Sequence, residues 1–339
     1  MSRYALLIAP STNRVYAEAA IRLTAAELSI FGTTVLSAPP AGIAEKRLGG
    51  VPYVVFDAEL APADRAYLAN LSSIYALFEV VGADPAPRHP TQDLLRPVEL
   101  APLAWFDEDL ITIPKYAGKT NEQFTRLLLN VTLLASAAAP AMLERRLTVL
   151  DPLCGRGTTL NQALRYGYHA VGIERDGKEV DAYAAFLRTY LRRKRLKHHA
   201  ELHPVRRERR LVARRFEATV AGRQTVTMFH ADTVDARQFL RARCADVIVA
   251  DAPYGVAHGS HAGGGRSRTP LDLLRAAVPV WVELLANGGA LGISWNTHVV
   301  SRADAAAVLA DNGLSVVEYP DLSHRVDQAI LRDVLVARK

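Results

Sequence analysis

Cysteine is scarce in this chain of 339 residues: only Cys154 and Cys244 are present, far apart and with no C-x-x-C spacing. That excludes a disulfide framework and the usual zinc-ligand patterns. No apolar run approaches the ~20 residues of a membrane span. The apolar core within Met1 to Pro10 is too short for a signal peptide and reads as a first strand. Acids are outnumbered, 35 against 41 Lys and Arg, for a net charge of +6; this balance favours an anionic partner without demonstrating one. Two phosphate-binding signatures are also incomplete. Leu160 stands where a G-x-G-x-x-G fingerprint needs its third glycine, and the glycine-rich stretch Gly255 to Arg268 lacks the Gly-Lys-Ser/Thr ending of a P-loop. What remains is expected to be a soluble, cytoplasmic protein. Its length suggests two domains, and 50% hydrophobic content is enough for real cores.

Two stretches carry chemistry. Leu147 to Leu150 is a short apolar run that reads as a buried parallel strand. It leads through Asp151-Pro-Leu-Cys154-Gly155-Arg-Gly157 into Thr158, Thr159 and a helical pattern. Glycines there let a backbone approach a ligand, and a helix start supplies unpaired N–H groups. About a hundred residues later a second buried strand, Asp246 to Ala250, ends in Asp251-Ala252-Pro253-Tyr254.

The pair of motifs resembles the S-adenosylmethionine (SAM)-dependent methyltransferases of exocyclic amino groups. Asp151 to Gly157 is similar to their cofactor loop Asp-Pro-x-Cys-Gly-x-Gly, and Asp251 to Tyr254 to their catalytic Asp-Pro-Pro-Tyr. Within that group the chain is most similar to the tRNA guanine-N2 methyltransferase branch, over its C-terminal two thirds. The resemblance implies an α/β fold: a Rossmann-like seven-stranded methyltransferase sheet, the last strand returning antiparallel, over residues 111–339. Residues 1–110 are expected to form a small α+β, ferredoxin-like N-terminal domain and linker. That space is too short for both this domain and the RNA-binding domain that follows it in the resembling enzymes.

The resemblance also assigns roles. Glu174, about 20 residues beyond the glycine loop, would accept ribose hydroxyls. Asp232 would read the adenine amino group, cap the helix expected over 233–243, or do both. Asp151 would orient the loop and reach the methionine amino group through water. Cys154 is a small buried filler, not a nucleophile. At the catalytic motif the Asp251 carboxylate and the Ala252 carbonyl would accept the two hydrogens of an amine. Pro253 would aim the chain, and Tyr254 would stack on an extruded base. The cofactor is SAM, with no metal. The partner is nucleic acid, tRNA being the leading reading, with guanine N2 as acceptor. N6-adenine or N4-cytosine methylation of DNA or rRNA, a non-nucleic-acid substrate, and a non-catalytic nucleic-acid-binding protein on a degenerate fold are the alternatives. Oligomeric state is not legible.

Local patterns complete the reading. Val15–Phe31 is expected as a helix stopped by Gly32, with strands at 33–36, 53–57 and 73–81. A proline-punctuated linker is expected over 82–113. Thr120 is expected to cap a helix with Gln123, and the resemblance implies that Lys115 to Gln123 closes over the methionine end of the cofactor, a packed lead-in helix being the alternative. The basic run Arg188 to Arg215 reads as a phosphate-tracking stretch or a solvated, partly helical insertion. Residues 255–268 read as a substrate-gating loop.

Overall fold

The computed structural model describes residues 1–11, 13–82, 93–116, 118–144, 146–252 and 269–339. The chain divides into two compact units, 1–103 with 319–326, and 104–318 with 327–339.

In the first unit the order is β1 (Ser2–Ile8), α1 (Arg14–Thr34), β2 (Ala41–Leu48), β3 (Val51–Ala58), α2 (Pro62–Leu68), β4 (Ile74–Val81) and β5 (Leu94–Val98). The first six make the β-α-β-β-α-β order of ferredoxin-like units. The sheet is antiparallel throughout, in the order β2-β3-β1-β4-β5. Helix α1 starts at Asn13, whose side chain accepts from Tyr16 N at 3.1 Å, and buries Ala20, Leu23, Leu28 and Phe31. It runs through Gly32 rather than stopping there. An added Cβ at Gly32 would lie 2.3 Å from Pro40 Cδ, so this glycine serves close packing. The strand expected at 33–36 is displaced to β2, and the range read as linker contains β5. Asp84 to Pro90 lie outside the described residues. Inside the unit, Glu27 is fully buried and takes hydrogen bonds from Ser72 N (2.9 Å) and Ser72 Oγ (2.6 Å).

The second unit runs α3 (Asp109–Thr112), α4 (Glu122–Ala135), β6 (Thr148–Asp151), α5 (Thr158–Tyr166), β7 (His169–Glu174), α6 (Gly177–Arg193), β8 (His198–Arg207), β9 (Arg210–Val220), β10 (Gln224–His230), β11 (Ala245–Asp251), α7 (Pro270–Leu284), β12 (Leu285–Asn296), α8 (Arg302–Asp311) and β13 (Ser315–Val317). After β14 (His324–Arg325), in the segment grouped with the first unit, it closes on β15 (Leu331–Arg338). The sheet order is β13-β15-β12-β11-β6-β7-β10-β9-β8. Strands β10, β7, β6, β11 and β12 are parallel and β15 is antiparallel to its neighbours. This is the Rossmann-like α/β sheet, with strand order reversing between β6 and β11. It carries the expected seven strands plus an antiparallel hairpin, β8–β9, added beside β10. The basic run Arg188 to Arg215 is thus helical as far as Arg193, in α6, and continues into the β8–β9 hairpin.

The centre of this sheet is apolar because it is covered on both faces. Val247, Ile248, Val249 and Ala250 of β11 are all fully buried; the three larger ones stabilise by about 1.5–3 kcal/mol each. Helix α4 packs across β12 closely enough that an added Cβ at Gly292 would meet Thr132 Oγ1 at 1.8 Å. No helix among the described residues is long and apolar enough to cross a membrane.

That contact predicts a pairwise effect. Gly292→Ala should lower stability by about 1–3 kcal/mol through overpacking. Adding Thr132→Ala should recover part of the loss, so the double variant should be less destabilised than the two single effects summed. Urea midpoints of the four proteins measure this.

Candidate active site

Two glycines in the turn after β6 serve different needs. Gly157 has φ +76° and an added Cβ would lie 2.5 Å from the Tyr183 ring, so it allows α5 and α6 to approach. Gly155 has φ +49° and nothing within 4 Å of an added Cβ; its side faces open space. Cys154 N donates to Ile173 O (3.0 Å) and Gly157 N to Cys154 O (2.7 Å), which fixes the turn against β7. Helix α5 then begins at Gly157 with no side-chain cap, leaving its first N–H groups for another acceptor.

Glu174, at the end of β7, closes this turn from the other side. Its Oε2 accepts from Gly155 N (2.9 Å) and its Oε1 from Asp176 N (2.8 Å). Burial pushes its carboxyl upward, against backbone hydrogen bonds from Asp176, Gly155 and Arg175 that favour the ionised form. Asp151 is buried at the end of β6 and accepts from Leu153 N (3.0 Å). Cys154 is also buried, and burial raises its thiol well above the usual range, which disfavours the thiolate. Asp232 follows β10 and caps a short 3-10 turn, Thr233–Gln238, accepting from Val234 N at 3.2 Å. The helix expected over 233–243 is thus a short 3-10 helix, Thr233–Gln238.

Asp251 ends β11 in register with Ser294 of β12. Its Oδ1 accepts from Ser294 Oγ and its Oδ2 from Thr120 Oγ1 (2.5 Å). The buried guanidinium of Arg332, on β15, lies 3.8 Å from Oδ2 and 4.2 Å over the Phe124 ring. Ala252 is buried and donates its N–H to Ser294 O (2.9 Å). Pro253, Tyr254 and the loop 255–268 lie outside the described residues.

The helix cap corrects the sequence reading. Asn121, not Thr120, caps α4, accepting from Phe124 N at 3.0 Å. Thr120 instead holds Asp251. Four residues before it, Tyr116 OH shares a 2.8 Å hydrogen bond with Thr158 Oγ1, and Arg156 sits 4.9 Å over the Tyr116 ring. Tyr116 and Thr120 therefore touch the start of α5 and the carboxylate at the end of β11 respectively. Tyr116, Thr120, Ser294 and Arg332 were missed from the sequence. Ser294 had a signal, a polar residue inside the apolar part of its strand; Arg332, beside Asp333 near a strand end, had none. Among the described residues no cluster of three or more His, Cys, Asp or Glu side chains is arranged to hold a metal ion.

Asp151 yields a pH prediction. Burial chiefly, with the neighbouring charges of Asp251 and Glu174, raises its carboxyl from 3.8 to about 7, against hydrogen bonds from Thr159 and Leu153. Between those values the folded chain holds a proton that the unfolded chain has lost, so stability falls as pH rises from about 4 to 7. The shift corresponds to about 4 kcal/mol. Asp151→Asn should flatten that decline and be more stable than the parent at pH 8, read as urea midpoints at pH 5 and pH 8.

No protein-family description and no curated protein matches the sequence. Among solved structures, the fold is similar to TrmN from Thermus thermophilus, with 12% identity, 100% of each chain covered and a TM-score of 0.47. It is similar to a precorrin-6y C5,15-methyltransferase from Geobacter metallireducens, with 13% identity, 70% of this chain and 100% of that one, at 0.39. It is similar to TYW2 from Pyrococcus horikoshii in complex with MeSAdo, with 15% identity and a TM-score of 0.34; that match spans 57% of each chain, little over half the length of TYW2. The functional reading rests on the site's own residues.

Proposed function

We propose that the chain is a SAM-dependent methyltransferase acting on an exocyclic amino group of a nucleobase, guanine N2 in tRNA being the leading acceptor. One observation carries this reading. Asp151 and Asp251 end the adjacent parallel strands β6 and β11 on either side of the point where strand order reverses, beside the glycine turn. Open α/β sheets bind ligands in the crevice outside the carboxyl ends of such strands.

The residues there fit SAM. Gly155 offers an open backbone face, and the uncapped start of α5 suits the methionine carboxylate. Asp151 suits the methionine ammonium. Glu174 suits the ribose hydroxyls, since a carboxylate has about four acceptor sites and can hold the turn while binding a ligand. Asp232 suits the adenine amino group. Bound in this crevice, SAM supplies an electrophilic methyl group.

The protein's task is then to present an amine. The lone pair of an exocyclic amino group is delocalised into its ring. Asp251 accepts one amino hydrogen and the Ala252 carbonyl the other, which turns the lone pair toward the methyl. Ser294 and Thr120 fix the plane of the Asp251 carboxylate, and the Ala252 N–H bond to Ser294 O fixes the backbone beside it. Pro253 and Tyr254, outside the described residues, would aim that backbone and give the extruded base a flat face. Such catalysis works by positioning and preorganised electrostatics.

Two substitutions separate the roles. Glu174→Ala should weaken SAM binding by about 1–3 kcal/mol, measured by calorimetry; an unchanged affinity would retire the ribose assignment. Asp251→Asn should lower turnover at least about 10²-fold while leaving SAM affinity nearly intact. Turnover is followed by nucleoside mass spectrometry of tRNA incubated with labelled SAM. Absence of SAM binding by the parent at micromolar cofactor would remove the enzyme reading altogether.

A further inference from the structure

The basic run from Arg188 to Arg215 is continuous in sequence but forms two clusters at opposite ends of one hairpin. Strand β8 starts level with the amino edge of the sheet, because His198 pairs with Val220 and Val220 with Gln224. It ends beyond the carboxyl edge. Glu174 is level with His230, His230 with Arg214, and the hairpin closes at Arg207 and Arg210. Arg210 lies four residues past that edge, about 13 Å at ~3.3 Å per residue.

The cluster at the amino edge has structural uses. Arg192 and Arg193 sit in the last turn of α6, where cations complement the helix dipole. Lys194 pairs with Asp107 (2.7 Å) and Asp109 (2.6 Å). Arg195 and Lys197 follow, both exposed.

The tip is different. Arg206, Arg207, Arg209 and Arg210 are all exposed, and among the described residues none of them pairs with a carboxylate. Further down the strand, Arg214 and Arg215 are already matched by Asp181 (3.2 Å) and Glu217 (3.1 Å). Glu208 is the single acid at the tip. The two-residue turn Glu208-Arg209 has both residues at positive φ, 49° and 66°, where Asn-Gly is the unstrained choice.

We propose that the hairpin tip, Arg206 to Arg210, is an arm that grips the phosphate backbone of a nucleic-acid substrate at a distance from the reacting base, and that the amino-edge cluster takes no part. The inference rests on the reading that the substrate is a nucleic acid. Its support is position and chemistry. Guanidinium groups match phosphate oxygens in bidentate geometry. The tip stands on the same edge as Asp151, Glu174 and Asp251. Strand β9 is four strands from β11 in the sheet, about 19 Å at ~4.8 Å per strand. With the overhang added, the tip is out of reach of a cofactor or a lone nucleoside, and an extended polyanion spans the gap.

Two variants of the full chain with equal charge removal test this. One carries Arg206→Gln, Arg207→Gln, Arg209→Gln and Arg210→Gln. The other carries Arg192→Gln, Arg193→Gln, Arg195→Gln and Lys197→Gln. Binding of bulk tRNA and of duplex DNA is measured by anisotropy from about 50 to 200 mM salt, alongside SAM calorimetry. The tip variant should lose at least about ten-fold in nucleic-acid affinity at low salt, with a log–log salt slope shallower by about 3. The amino-edge variant should stay within about two-fold of the parent, and both should bind SAM as the parent does. Equal losses in the two variants, no loss in the tip variant, or tip-dependent binding to phosphatidylserine vesicles but to neither nucleic acid would overturn the arm. Tip-dependent binding to duplex DNA alone keeps the arm and changes the acid it grips. A parent that binds tRNA through the tip but does not bind SAM keeps the arm and removes the methyltransferase reading. A parent that binds SAM but no nucleic acid does the reverse.

Discussion

Three carboxyl groups end three neighbouring parallel strands, Asp151 buried and Glu174 and Asp251 partly buried, and holding them close together is the constraint that shapes the second unit. Glu174, Asp151 and Asp251 stand at the carboxyl ends of β7, β6 and β11. Buried like charges repel strongly at low dielectric, and buried charge needs hydrogen-bonded partners. The chain supplies them from several directions. Backbone N–H groups of Gly155 and Asp176 serve Glu174, Leu153 N and Thr159 serve Asp151, and Ser294, Thr120 and Arg332 surround Asp251. Asp151 still bears a raised carboxyl. A cationic ligand placed among these groups would relieve the repulsion.

The parts read correctly from sequence are those in which local pattern and global role coincide. Leu147 to Asp151 and Asp246 to Asp251 are apolar runs ending in an acid, and a run of that kind has one place in a parallel sheet. Gly155 and Gly157 are both left-handed, as a tight strand-to-helix turn requires. The failures share a cause. Gly32 looks like a stop because glycine often ends helices, yet its role is set by Pro40, which lies against it in space. Thr120 satisfies the local rule for a cap, but its hydroxyl contacts a residue 131 positions away while Asn121 takes the cap. Arg332 is visible only as a misplaced cation until β15 is known to run beside β12.

The hairpin shows the same principle applied to charge. A net charge, or a count of cations along a stretch, specifies no surface until the strand register is known. Arg195 and Arg206 are eleven residues apart in sequence, yet one marks the amino edge of the sheet and the other stands beyond the carboxyl edge. Strands translate sequence distance into space at ~3.3 Å per residue, whereas a helix of the same length would have kept these cations within half that distance. Extended backbone is thus what separates a structural group of cations, placed at a helix end and against Asp107 and Asp109, from a group that stands beyond the carboxyl edge with no carboxylate partner among the described residues. On the proposed reading, long-range attraction of a polyanion and local alignment of an amine would be handled by different residues on one sheet. Affinity would then be set at the tip by salt-sensitive contacts, while Asp251 would keep the geometry that the Ser294 and Thr120 hydroxyls impose.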